Sequence, residues 1–246
     1  YIYFWYNIYV LFIHIERNRK KYMLEIKNIC FSREGKDILK DVSLIFPDNK
    51  VIVITGANGS GKSTLAKIIM GIEKPDSGSI IFNGQDITDM PIDKRANLGL
   101  GFAFQQPVKF KGITVRDILN ITAKRKLEKC ELCRYLSDVG LCANDYLDRE
   151  LDSNLSGGEL KRIEIAMLAL KNSTFTLFDE PEAGIDLWSF NSLIDIFENM
   201  KNDTKNTIVI ISHQERILDI ADEIIILSNG TIKEMGKRNK VLPKLL

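Results

Sequence analysis

Histidine is nearly absent from this sequence: His14 and His213 are the only two. Cysteine is scarce as well. Cys30, Cys130, Cys133 and Cys142 are too few and too unevenly placed to staple a chain of 246 residues with disulfides. Cys130 and Cys133 form a CxxC within a helical pattern, but no second pair follows, so helix-face thiols in a reducing compartment are expected rather than a zinc site or a redox dithiol. Net charge is lacking too. A formal value of +1 supplies no long-range field for nucleic acid or an anionic membrane, and no nucleic-acid partner is expected. Residues 23–246 contain no apolar run long enough to cross a bilayer, no internal repeat and no long coiled coil.

Residues 1–22 are unlike the rest. Tyr1 to Ile15 is dense in aromatic and β-branched residues, and Glu16-Arg17-Asn18-Arg19-Lys20-Lys21 follows. The stretch is too short for a spanning helix and lacks the basic leader and cleavage site of a signal peptide. It is expected to lie outside the functional protein; an interfacial anchor with a basic flank is the competing account. Residues 23–246 are expected to form one domain.

That domain is organised around Gly56-Ala57-Asn58-Gly59-Ser60-Gly61-Lys62-Ser63-Thr64. The apolar run Val51 to Ile54 precedes it and the helical pattern Leu65 to Met70 follows, giving strand, glycine loop and helix. Glycines let successive N–H groups converge on phosphate oxygens, and the helix start adds unpaired donors. Lys62 can reach the β- and γ-phosphates, while the Ser63 hydroxyl is placed to ligate Mg²⁺. A nucleoside triphosphate, ATP, with Mg²⁺ is the expected ligand.

The remaining pattern alternates strands and helices. Strands are expected at Leu24 to Ile29, Ile38 to Phe46, Ser79 to Phe82, Leu98 to Phe104, Phe175 to Phe178 and Thr207 to Ile211. Thr114 to Lys129 and Glu131 to Val139 have helical spacing, as part of an inserted helical lobe over about residues 108–168. Ser156-Gly157-Gly158-Glu159 opens another helix, with further helices expected at Trp188 to Met200 and Arg216 to Ala221. Ile224 to Leu227, Asn229-Gly230 and Thr231 to Lys233 read as a hairpin with a two-residue turn. The expected fold class is α/β: a mostly parallel core sheet, an antiparallel β lobe at the start and a helical lobe in the middle.

Asp179 ends an apolar strand, where a carboxylate can hold Mg²⁺ opposite Ser63. Glu180 can point elsewhere and polarise an attacking water as general base. Gln105 and His213 also end strands, positions from which an amide can sense Mg²⁺ or water and an imidazole can meet the γ-phosphate. Phe31 is a candidate for stacking on the base, against a plain core aromatic.

Gly56 to Thr64, Gln105, Leu155 to Glu159, Phe178 to Pro181, Asp186 and His213 together resemble an ABC-type ATPase domain in order and spacing. The resemblance covers Leu24 to the C-terminal region. It assigns Gln105 to the Q-loop, residues 155–159 to the signature, Asp186 to the D-loop and His213 to the switch histidine. It also implies a head-to-tail dimer, in which Ser156, Gly157 and Gly158 of one subunit cap ATP on the phosphate loop of the other.

Ala103 to Ile113, Lys161-Arg162-Ile163-Glu164-Ile165, Ala166 to Leu170 and Ser212 to Leu218 further resemble the SufC type, ATPases of iron–sulfur cluster assembly. That likeness implies a cytoplasmic subunit working on SufB/SufD-like scaffold proteins. Leu155 and Pro181 depart from the SufC pattern and keep open the membrane subunits of a transporter as partners.

Overall fold

A computed structural model describes residues 22–152, 154–184, 187–204 and 206–245. The chain opens with two long antiparallel strands, β1 (Tyr22–Arg33) and β2 (Lys36–Pro47), joined by the turn at Glu34 and Gly35. The central strand β3 (Val51–Thr55) leads into the phosphate loop and α1 (Lys62–Met70). Strands β4 (Ser77–Phe82) and β5 (Gln85–Asp86) complete a four-stranded sheet of order β2-β1-β4-β5. Asn83 and Gly84, both at positive φ, make the tight turn between them.

Next come α2 (Ile92–Asn97) and β6 (Leu100–Ala103). The inserted lobe comprises β7 (Phe110–Thr114), α3 (Val115–Ala123), α4 (Lys129–Asp138), α5 (Ala143–Tyr146), β8 (Glu150–Leu151) and α6 (Gly157–Lys171). The chain then runs through β9 (Phe175–Asp179), α7 (Leu187–Thr204), β10 (Thr207–Ile211), α8 (Glu215–Asp219), β11 (Glu223–Ser228), β12 (Thr231–Lys237) and the short α9 (Arg238–Val241). The second sheet has the order β12-β11-β3-β10-β9-β6, parallel except for β12.

Burial on both faces explains why β3, β9 and β10 read as nearly continuous apolar runs. Val51 and Val53 of β3, like Ile208 and Ile210 of β10, join a core with α6, α7 and the helical lobe. Ile52, Ile54, Val209 and Ile211 face the opposite core, formed with β1, β2, β4 and α1. Parallel pairing of Ile211 with both Ile54 and Asp179 aligns the strand ends. The phosphate loop, the two carboxylates and His213 therefore leave the sheet at one edge, the place where open parallel sheets bind ligands.

The expected α/β architecture is the one observed, including the two-residue turn at Asn229 and Gly230. Three local expectations need correction. The run from Thr114 to Lys129 is not one helix: Lys124 takes a left-handed conformation (φ 55°) that closes α3, and α4 starts afresh at Lys129. The strand expected from Leu98 begins at Leu100, because Leu98 caps the unforeseen helix α2. Strands β7 and β8 pair across the helical lobe, a contact that sequence periodicity does not register.

Candidate nucleotide site

The phosphate loop is shaped by neighbours that leave no room for side chains. A Cβ on Gly56 would sit 1.9 Å from the Leu227 carbonyl oxygen, and Gly56 has φ 140°. Gly61 (φ 102°) would strike Leu39 and the Ile38 carbonyl. Gly61 is also the N-cap of α1, and it provides no side-chain cap. The first N–H groups of α1 thus keep their capacity to bind an anion. Asn58 and Gly59 stand exposed at the loop tip, and Thr64 is half-buried in the first turn of α1. Ser60 is buried, with a hydroxyl that has no hydrogen-bond partner among the described residues.

Lys62 is 5% exposed, and its Nζ donates to the Gly56 oxygen at 2.7 Å and the Ala57 oxygen at 3.0 Å. Desolvation holds the Lys62 ammonium below its ordinary range, with Glu180 and Asp179 drawing the other way. Beside it the Ser63 hydroxyl donates to Asp179 Oδ1 at 3.1 Å. Burial pushes the Asp179 carboxyl up, against the opposing pull of the Ser63 hydrogen bond. These facing hard oxygens suit Mg²⁺ held together with phosphate and water. Gln105 Nε2 donates to Glu180 Oε2 at 2.7 Å. The two adjacent carboxylates thus diverge, one toward Ser63 of the phosphate loop and the other toward Gln105. Glu180 bends away at φ 47°, fixed by its N–H on the Ile211 oxygen at 3.0 Å.

His213 is exposed, with Nδ1 3.3 Å from the Thr55 hydroxyl. Desolvation and then the Lys62 charge hold its imidazole below the usual range. Ser156 is the exposed N-cap of α6 in a reciprocal capping box: its hydroxyl accepts from Glu159 N, while Glu159 accepts from Ser156 N. Among the described residues Ser156 makes no hydrogen bond to the phosphate loop. Gly157 is open to solvent, whereas a Cβ on Gly158 would lie 2.5 Å from the Gly184 oxygen. The expected Asp186 lies outside the described residues.

Phe31 corrects its expectation. It is 7% exposed and belongs to the core between the first sheet and α1, so its ring has no free face for a base.

Sequence reasoning gave no role to several buried polar groups around the site. Lys161, 0% exposed on α6, donates to the Phe104 carbonyl and lies 3.5 Å from the Asp179 carbonyl. Its partner Glu164 accepts from Phe104 N at 3.0 Å. The pair pins the segment that leads from β6 to Gln105, and the end of β9, to one helix. Glu182 takes a 2.5 Å hydrogen bond from the Ser212 hydroxyl, next to His213. Arg95 is 1% exposed and donates to the carbonyls of Ile68, Ile69, Thr88 and Met90, closing the C-terminus of α1. In the sequence Lys161 and Glu164 stand out only through the SufC likeness, and Arg95, beside Asp93 and Lys94, carries no signal.

The comparisons with known proteins agree with this geometry. The family model described as ABC transporter matches residues 39–183. "Uncharacterized ABC transporter ATP-binding protein MJ0035" of Methanocaldococcus jannaschii is 37% identical over 227 residues, covering 89% of this chain and 90% of that protein. "Probable ATP-dependent transporter slr0075" of Synechocystis sp. is 36% identical over 237 residues, covering 89% and 91%. Among solved structures, the ATP-binding cassette MJ0796, titled a dimeric post-hydrolysis state bound to ADP and Pi, superposes with a TM-score of 0.76 at 23% identity. That superposition covers 88% of this chain and 99% of the other, and it speaks for the fold. With the phosphate loop, the paired carboxylates and the family match in one place, this chain belongs to the ABC transporter family, as one of its ATPase domains.

Proposed function

We propose that this chain, as a single domain over residues 23–246, dimerises head-to-tail on ATP and uses hydrolysis to remodel a SufB/SufD-type scaffold during iron–sulfur cluster assembly in the cytoplasm. The observation that carries the catalytic part is the divergence of Asp179 and Glu180, toward Ser63 and Gln105 respectively. Ser63 and Asp179 would hold Mg²⁺, which when bound neutralises charge across the β- and γ-phosphates. Lys62 would leave its loop carbonyls for phosphate oxygens. Glu180 would orient and deprotonate the attacking water while His213 hydrogen-bonds the γ-phosphate. In the dimer, the Ser156 hydroxyl and the N–H groups of Gly157 and Gly158 would cap the partner's ATP from the start of a helix.

The choice of scaffold rests on the residues that carry the SufC likeness. Lys161 and Glu164 hold the stem of Ala103 to Ile113, and that stretch borders a groove of about 230 Å³. Phe102, Phe104, Pro107, Val108, Phe110 and Met167 line it, an apolar seat for a partner helix. Transporter membrane subunits are the second reading, since the relatives' names include "transporter" and such a groove would also fit their cytoplasmic helices. No described helix is long and apolar enough to cross a membrane.

Affinity capture on the chain carrying Glu180→Gln, with Mg-ATP, in a lysate of the source cells separates the two readings. A SufB-like scaffold is the expected capture. A multi-helix membrane protein in its place would reverse the assignment.

A further inference from the structure

The capping box at Ser156 carries a liability. Glu159 places a full negative charge in the first turn of α6, where the proposed function brings a phosphate of the partner's nucleotide. A carboxylate and a phosphate at one helix end repel. The helical lobe meets this charge directly. The Tyr146 hydroxyl, at the end of α5, donates to Glu159 Oε1, leaving Oε2 to accept from Ser156 N at 2.7 Å. The Arg149 guanidinium lies 4.7 Å from the centre of the Tyr146 ring, three residues further along the same connection. The charged groups acting on this cluster are Glu159, Arg149 and Arg162. With both carboxylate oxygens engaged, Glu159 stays bound to the N-cap backbone and its charge is drawn toward the lobe. Ser156, whose oxygen accepts from Glu159 N at 3.2 Å, keeps its hydroxyl hydrogen for a ligand.

We infer that Tyr146 is a positioning residue of the signature, holding Glu159 against the N-cap and offsetting its charge so that Ser156 and the glycine N–H groups can receive the γ-phosphate of the facing subunit. The inference rests on the head-to-tail reading above. Nothing else in that reading involves Tyr146, which lies in the lobe and outside every motif of the sequence. Its half-buried ring packs against the core that the lobe shares with the parallel sheet.

The test uses the full chain in a Glu180→Gln background, with ATP-dependent dimerisation followed by sedimentation. Adding Tyr146→Phe is expected to weaken association about tenfold, the worth of one hydrogen bond to a charged group. Affinity of the monomer for ADP is expected to stay unchanged. Adding Glu159→Gln as well removes the charge that Tyr146 offsets, and the penalty of Tyr146→Phe is expected to shrink below about twofold. Undiminished association in Tyr146→Phe, or the same penalty with and without Glu159→Gln, overturns the inference and leaves Tyr146 a packing residue.

A second readout needs no dimer. Tyr146 is the leading cause that lowers the Glu159 carboxyl below its ordinary range, so NMR titration of that carboxyl in the Tyr146→Phe monomer is expected to move upward. A titration that does not move overturns the inference even if dimers form. Failure of the Glu180→Gln parent to dimerise with ATP would instead refute the head-to-tail reading, and the titration would still decide whether Tyr146 sets the charge of Glu159.

Discussion

Gln105 and Glu180, 75 positions apart, meet through a 2.7 Å hydrogen bond from the amide of one to the carboxylate of the other. The bond crosses from the end of β6 to the end of β9, neighbouring parallel strands of the sheet. It ties the segment that borders the apolar groove to the proposed general base. A partner that moves the segment around Gln105 thereby moves the amide donor that holds the Glu180 carboxylate.

Glu180→Gln keeps a side chain able to pair with Gln105 but removes the base. Turnover is expected to fall by about 10²–10⁴-fold with ATP affinity retained, and an ATP-bound dimer to accumulate. Phosphate release and size-exclusion profiles check both. Undiminished turnover would place the base elsewhere.

Lys62→Ala removes the only long cation within the phosphate loop itself. Mg-ATP affinity is expected to drop at least about tenfold, the worth of a charge-assisted hydrogen bond, with little change in melting temperature. Equilibrium binding of a fluorescent ATP analogue measures it, and a normal Kd would refute the assignment of the loop.

Gly158→Ala places a methyl group 2.5 Å from the Gly184 carbonyl oxygen. Helix propensity favours alanine, so an isolated helix would gain stability. Here the start of α6 must instead move off the loop that follows Glu180. The expected result is weakened ATP-dependent association with monomer nucleotide binding intact, read by analytical ultracentrifugation.

Arg95→Met leaves the carbonyls of Ile68, Ile69, Thr88 and Met90 short of a donor in a site that water does not reach. A loss of about 3 kcal/mol or more is expected. Urea unfolding gives the value, and a loss under about 1 kcal/mol would show that other donors replace the guanidinium.

Asp222 supplies a pH-dependent share of stability. Burial pushes its carboxyl up, but the Lys201 hydrogen bond, the Val51 N–H and the charges of Lys201 and Lys50 outweigh burial and leave it below the ordinary range. A carboxyl lowered on folding contributes stability in full above the unfolded value of about 4, and that share fades as pH falls toward the folded value. Unfolding free energies of Asp222→Asn are expected to fall less steeply than those of the parent below about pH 4. Equal slopes would remove Asp222 from the acid limb.

The sheet and the phosphate loop were legible because local sequence determines them. Val51 to Ile54 has no polar face, and glycines at 56, 59 and 61 stand where positive φ is needed. Asp179 and Glu180 were legible as the end of an apolar strand. Phe31 was misread because nothing in an alternating strand distinguishes a residue facing ligand from one facing core, and the core took it. Helix α2 is six residues long, too short for its period to emerge. Tyr146, Lys161 and Glu182 act through contacts that close only when the lobe or a neighbouring strand docks, so local pattern held no trace of their roles.

The loop that begins the nucleotide site is completed from the far end of the chain. The Leu227 carbonyl fills the space that Gly56 leaves, and Gly230 donates to the Ser60 carbonyl while accepting from Lys40. Strand β11 also lies directly against β3 in the sheet. Synthesis of the phosphate loop therefore precedes its support by about 170 residues. A nascent chain emerging from the ribosome carries an unbraced loop until the β11–β12 hairpin follows it out, and nucleotide capture waits on the synthesis of that hairpin.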